Sequence, residues 1–197
     1  MYLIIQIPCL NEADNLPSVI NELPKSIDGV TKVEILVIDD GSTDGTSQIA
    51  KKLGVHHVLT LKKNVGLGRA FNIGIKKCLN LKADIVVNTD ADNQYKADGI
   101  PKLVTKLVNE KLDMVLGCRE ISKIHHFSYF KKFLQKFGTL VVNFLSGSKI
   151  PDSTTGFRAY SKKAITDIHV FSKFSYTLDV LMQATELSLN TGYVYVE

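Results

Sequence analysis

Val33-Glu34-Ile35-Leu36-Val37-Ile38-Asp39-Asp40-Gly41-Ser42-Thr43-Asp44-Gly45-Thr46 is the stretch whose reading decides the fold. An apolar run of strand length, Val33–Ile38, stops abruptly at two carboxylates and a glycine. A helical pattern carrying Ile49, Ala50 and Leu53 follows, with Asp44 placed to cap it. A strand that ends in acidic residues and turns into a helix is one unit of an α/β sheet, and the chain repeats that unit.

Upstream, Tyr2–Pro8 is a near-continuous apolar run broken only by Gln6 and Pro8, the pattern of a strand buried on both faces. Ala13, Leu16, Val19, Ile20 and Leu23 then recur at helical spacing. Downstream, His57–Leu61 reads as a third strand, Ala70–Leu81 as a helix and Asp84–Asn88 as a fourth strand. A helix over Ile100–Val108 and a strand over Met114–Gly117 come next. The alternation predicts a Rossmann-like α/β fold, a mostly parallel sheet flanked by helices. Beyond residue 120, Phe127, Phe130, Leu134, Phe137 and Val141 form one helical stripe. The lysine- and phenylalanine-rich stretch Lys123–Phe137 suits a core-facing helix or a membrane surface equally. Gly192–Glu197 reads as a strand that stops without a turn, so a single domain cut from a longer chain after Glu197 is expected.

Composition narrows the class. With 197 residues, 45% of them hydrophobic and 22% charged, the chain can bury one substantial core and is neither disordered nor fibrous. A net charge of +4 fits an anionic ligand without pointing to nucleic acid. No run of apolar residues is long enough to span a bilayer. Cys9, Cys78 and Cys118 lack metal-ligand spacing and read as buried thiols of a reducing compartment, which makes the expected location cytoplasmic.

In parallel α/β sheets ligands bind beyond the carboxyl ends of the strands. Asp39 and Asp40 stand at one such end, Asp90 and Asp92 at another. Asp90-Ala91-Asp92 can present two carboxylates to one hard cation, with the Gln94 amide oxygen as a further ligand, and oxygen ligands suit Mg²⁺ or Mn²⁺. The pair Asp39-Asp40 is unfavourable unless donors answer it, and a nucleobase N–H or ribose hydroxyls are one source. Asn64-Val65-Gly66-Leu67-Gly68-Arg69-Ala70 is either an anion loop or a glycine turn opening a helix. Arg119 and Arg158 stand out from a lysine-rich background, and each offers a paired-donor fork for phosphate.

Taken together, these motifs resemble glycosyltransferase family 2 of the GT-A fold. Pro8-Cys9-Leu10-Asn11-Glu12 is similar to the family's opening block and Val37 to Thr46 to its nucleotide-binding turn. Asn64, Gly66, Gly68, Ala70, Asn72 and Gly74 resemble its next block, and Asp90-Ala91-Asp92 with Gln94 its metal motif. Gly117-Cys118-Arg119 and Asp152 to Tyr160 look like the polyprenyl-phosphate branch, the dolichyl-phosphate mannose synthase type. In this chain Cys9 and Leu10 stand where an aromatic is common.

The resemblance implies a sugar transferred from a GDP- or UDP-linked donor to a polyprenyl phosphate at the cytoplasmic face of a membrane. By the same resemblance Pro8, Asn11, Glu12, Asp39, Asp40, Ser42 and Asp90 hold the nucleotide, and Asp90, Asp92 and Gln94 the metal. Arg119, Ser153, Thr154 and Arg158 receive the acceptor, with Asp92, Arg119 and Arg158 in the catalytic roles. A phosphate acceptor needs no general base, and in-line attack inverts the anomeric carbon. Two alternatives stand beside this reading. A glycan hydroxyl acceptor would need a base, with Asp179 or Asp152 the first suspects. A nucleotide-binding module without catalysis would keep the donor site alone.

Overall fold

The structure, a computed structural model, describes residues 1–119, 139, 143, 150–172 and 174–196. The stripe Phe127, Phe130, Leu134, Phe137 and Val141 lies outside them. Chain order is β1 (Tyr2–Cys9), α1 (Leu16–Glu22), β2 (Lys32–Asp39), α2 (Thr46–Lys52), β3 (His57–Thr60), α3 (Leu67–Asn80), β4 (Ile85–Asn88), α4 (Gly99–Asn109), β5 (Met114–Arg119), β6 (Arg158–Ser161), α5 (Lys162–Asp167), α6 (Thr177–Glu186) and β7 (Thr191–Val196). The strands form one seven-stranded sheet in the order β3-β2-β1-β4-β6-β5-β7. Every pairing is parallel except those of β6, which runs antiparallel to both β4 and β5.

Side chains of a strand alternate between faces, which explains why the apolar runs are continuous. Leu3, Ile5 and Ile7 of β1 and Val37 of β2 pack on the face covered by α1, α2 and α4, beside Leu16, Val19, Ala50, Leu103 and Leu107. Ile4, Leu36, Ile38 and Val86 pack on the other, against Phe71 and Ile75 of α3, Ala164 and Ile165 of α5 and Val180 and Leu181 of α6. Both faces are apolar, and a polar side chain placed between them needs a partner. Gln6, the interruption in β1, sits in register with Asn88 of β4 and donates to its Oδ1 at 2.9 Å.

The helix after β2 begins one residue later than a cap at Asp44 requires. Gly45 occupies the cap position with φ 90°, and Asp44 accepts from the backbone N–H of Thr46 at 3.0 Å. Cys9, Cys78 and Cys118 are buried free thiols. No helix among the described residues is long and apolar enough to cross a membrane.

Candidate active site

The carboxyl ends of β1, β2, β4 and β5 lie along one edge of the sheet, and β6, running the other way, begins there: Arg158 is in register with Asn88 and Leu116. The acidic loops that follow β1 and β2 are stitched together rather than left to repel. Asn11 N–H donates to Ser42 Oγ at 2.9 Å, and Asn11 Oδ1 accepts from Thr43 N–H at 2.9 Å. Glu12 N–H reaches Thr46 Oγ1 at 3.0 Å and Ala13 N–H reaches Asp44 Oδ2 at 2.9 Å. Gly41 adopts φ 80° because its backbone passes against that of Lys63, where a side chain would collide.

The two adjacent carboxylates find donors within the protein. Asp39 Oδ1 accepts from Ser42 N–H at 2.8 Å. Asp40 accepts from Val65 N–H at 2.8 Å with one oxygen and from Gly66 N–H at 3.0 Å with the other. The glycine segment before α3 is therefore a turn held by Asp40. Two of the backbone N–H groups that a phosphate would use there are already engaged.

Between these loops and the end of β4 opens a cleft of about 270 Å³, lined by Pro8, Cys9, Leu10, Glu12, Asp40, Asn64, Gly66, Leu67, Ala70, Asp90, Ala91 and Asp92. Of the residues expected at the site, Pro8, Glu12, Asp40, Asp90 and Asp92 meet in its wall. Asn11, Asp39, Ser42 and Gln94 do not line it. Asn11, Asp39 and Ser42 serve the loop clamp, and Gln94 is exposed, its backbone N–H donating to Asp92 Oδ1 at 3.1 Å. Cys9 and Leu10 both line the cleft, so its floor and rim are aliphatic where an aromatic ring would give a stacking plate.

Asp90 is the most perturbed carboxyl of the cleft. Burial first, then the charges of Asp92 and Glu12, push its pKa up to about 6 against the pull of Arg119 and Arg158. Among the described residues no three His, Cys, Asp or Glu side chains already form a metal cage. Two repelling carboxylates with open positions beside them suit a cation that shares its ligands with substrate phosphates.

The two arginines differ. Arg119, ending β5, donates from Nε to Asp152 Oδ2 at 2.9 Å and from a terminal nitrogen to Thr154 Oγ1 at 3.3 Å, with its guanidinium carbon 5.6 Å from the centre of the Tyr95 ring. Its side chain keeps 20% of its surface exposed. Arg158 corrects the sequence expectation. It is fully buried and donates to three backbone carbonyls, of Thr155 at 2.9 Å, Thr177 at 2.9 Å and Ser153 at 3.2 Å. A fork so enclosed braces the loop before β6 and offers nothing to an incoming phosphate. Ser153 is likewise buried, its hydroxyl against that of Thr139 at 3.2 Å, whereas Thr154 is exposed beside Arg119.

Sequence reasoning missed the support under Asp90. Asn88 donates from Nδ2 to the Tyr176 hydroxyl at 2.7 Å and to the Gly156 carbonyl at 3.1 Å, and the Tyr176 hydroxyl donates to that same carbonyl at 3.1 Å. The signal was the polar Asn88 closing an apolar strand. Tyr95, stacked on Phe157 with ring centres 5.2 Å apart, carried no signal of its own.

The family description of glycosyl transferase family 2 matches residues 4–168. The chain belongs to glycosyl transferase family 2. A UDP-N-acetylglucosamine–dolichyl-phosphate N-acetylglucosaminyltransferase of Methanococcus voltae is 31% identical, over 100% of this chain and 84% of its own length. A polyprenol monophosphomannose synthase of Mycolicibacterium smegmatis is 28% identical over 98% of this chain and 74% of the relative. An undecaprenyl-phosphate mannosyltransferase of Micrococcus luteus is 31% identical over 78% of this chain, which spans 64% of that relative. Glucosyl-3-phosphoglycerate synthase from Mycobacterium tuberculosis, solved with Mn²⁺, UDP and phosphoglyceric acid, shares the fold. Its TM-score is 0.73 at 20% identity, covering 98% of this chain and 68% of that one. This family 2 chain is therefore a glycosyltransferase of GT-A architecture, and its cleft occupies the sheet edge where such α/β folds bind ligands.

Proposed function

We propose that this glycosyltransferase moves a sugar from a nucleoside-diphosphate sugar to a polyprenyl phosphate, with inversion at the anomeric carbon. The relatives named for dolichyl, polyprenol and undecaprenyl phosphate support the acceptor class, and the structural neighbour that holds UDP supports the donor class. The observation that carries the reading is the engagement of the two carboxylates that are the first suspects as base for a hydroxyl acceptor. Asp152 is fully buried, bonded to Arg119 through one oxygen and through the other to the backbone N–H and hydroxyl of Thr154. Asp179 accepts from the N–H groups of Phe171 and Ser172 and from the Gln183 amide. Both carboxylates are engaged within the protein, and a phosphate acceptor asks for no base.

Pro8, Leu10 and Glu12 form the wall against which the nucleoside would rest. Asp90 and Asp92 would hold Mg²⁺ or Mn²⁺, which supplies charge neutralisation for the leaving diphosphate. Arg119, steadied by Asp152 and Thr154, would pair with the acceptor phosphate and aim its oxygen at the anomeric carbon from the face opposite the diphosphate. The test is incubation with Mn²⁺, an isoprenyl phosphate and a panel of UDP- and GDP-sugars, read by mass spectrometry of the lipid fraction. A glycosyl phospholipid from one donor is expected. Sugar transfer to glycan hydroxyls instead, lost in Asp179→Asn, would sink the proposal.

A further inference from the structure

Phe171 and Phe174 are 84% and 90% exposed, whereas Phe71 and Phe157 are buried at 1% and 0%. The backbone at both exposed residues is held by hydrogen bonds. Val170 exchanges hydrogen bonds with the Asn72 side chain of α3, its N–H donating at 3.1 Å and its carbonyl accepting at 2.6 Å. Phe171 and Ser172 donate their N–H groups to Asp179, at 2.6 and 3.2 Å, and Phe174 donates to Ser172 Oγ at 3.2 Å. Two large rings held outward by a bonded loop are an apolar surface that folding has left for a partner.

The place of the loop identifies that partner. The Ser172 carbonyl lies against Gly68 in the first turn of α3, and the preceding residue, Leu67, lines the donor cleft while remaining 40% exposed. Leu178, on the first turn of α6, is 44% exposed. The backbone contact of Ser172 with Gly68 thus joins the loop of the exposed rings to the helix turn at the rim of the cleft. We infer that Phe171 and Phe174 insert into the headgroup region of a phospholipid bilayer and seat the cleft's mouth on the membrane. The inference rests on the lipid-phosphate acceptor proposed above, whose tail must approach this rim from a bilayer. A chain of net charge +4 is matched to an anionic one.

The experiment is flotation with vesicles of mixed phosphatidylcholine and phosphatidylglycerol, comparing the wild-type chain with Phe171→Ser, Phe174→Ser and the double variant. Leu187→Ser, which removes another exposed apolar residue beyond the far end of α6, is the control. Each ring is expected to contribute about tenfold to partitioning and the pair about a hundredfold, with Leu187→Ser unchanged and all thermal midpoints preserved. Equal partitioning of wild type and double variant would overturn the inference. So would a wild type that ignores vesicles and self-associates through these rings. Transfer to a short, water-soluble isoprenyl phosphate reads the acceptor separately. Its absence in the wild type would count against the acceptor and leave the vesicle result to decide the surface.

Discussion

Arg119 and Asp152 form an ion pair, Nε to Oδ2 at 2.9 Å, in which the carboxylate is fully buried and the guanidinium only partly so. The asymmetry matters. Asp152 is committed to the protein, also accepting from Thr154, while Arg119 keeps a face for something else within electrostatic reach of Asp90. A buried acid that anchors a half-open arginine is a way to aim a phosphate-binding fork.

Arg119→Ala is accordingly expected to lower kcat/KM by on the order of 10²–10³, with the nucleotide-induced rise in thermal midpoint intact. Arg119→Lys should recover only part of the rate, because a point charge replaces the fork. Steady-state kinetics with varied acceptor, beside a UDP and GDP thermal-shift titration, separates the two effects. Equal loss of nucleotide binding would move Arg119 to the donor site.

Arg158 predicts the opposite pattern. Its removal strands the buried carbonyls of Ser153 and Thr155 and the part-buried carbonyl of Thr177. Arg158→Met should cost on the order of 3 kcal/mol of stability in urea unfolding. Normal stability with a raised KM for acceptor would restore the phosphate-binding role that the sequence pointed to.

These two arginines show where the sequence was legible. Strands buried on both faces announce themselves, and β1, β2 and β4 were readable from their apolar runs, with Asp90 and Asp92 placed by the end of one of them. Strand β6 was not. Arg158-Ala159-Tyr160-Ser161 holds no apolar run, and its burial depends on carbonyls contributed from Ser153 to Thr177. An arginine reads the same in sequence whether its fork meets a phosphate or a backbone. The partners of Asp40 were hidden for the same reason, since Val65 and Gly66 approach it only once β2 and the loop before α3 are assembled.

Asp90 titrates near neutrality, and the sign of its effect is fixed. Its pKa in the fold, about 6, lies above the ordinary 3.8. Between those values the folded chain binds more protons than the unfolded one, so this group's contribution falls as pH rises through that window and is a full penalty above it. Asp90→Asn should therefore stabilise the metal-free protein at pH 8, on the order of 2 kcal/mol, and leave it unchanged below pH ~4. Cation binding must displace that proton, so Mn²⁺ affinity measured by calorimetry should fall as pH drops below 6. A flat affinity between pH 5 and 8 would remove Asp90 from the metal site.

Gly68 joins the cleft to the aromatic loop, and one methyl group tests the joint. A Cβ at this position would run into the Ser172 carbonyl and crowd the Val170 side chain, and Ser172 cannot yield freely because its own N–H is held by Asp179. Gly68→Ala should cost about 1–3 kcal/mol as overpacking, and more exposed amides at Val170 and Phe171 should be visible by hydrogen exchange. Because Leu67 lines the cleft proposed for the donor, the displaced first turn of α3 should also weaken nucleotide binding. Ala70 belongs to the same helix and is fully buried, so Ala70→Gly provides the contrast: it loosens α3 without pressing on the loop. If both variants lose nucleotide affinity while only Gly68→Ala deprotects Val170 and Phe171, the loop and the cleft are coupled through that glycine. Deprotection of the loop in both would mean that α3 transmits the change as a whole and that the contact at Gly68 carries no special part of it.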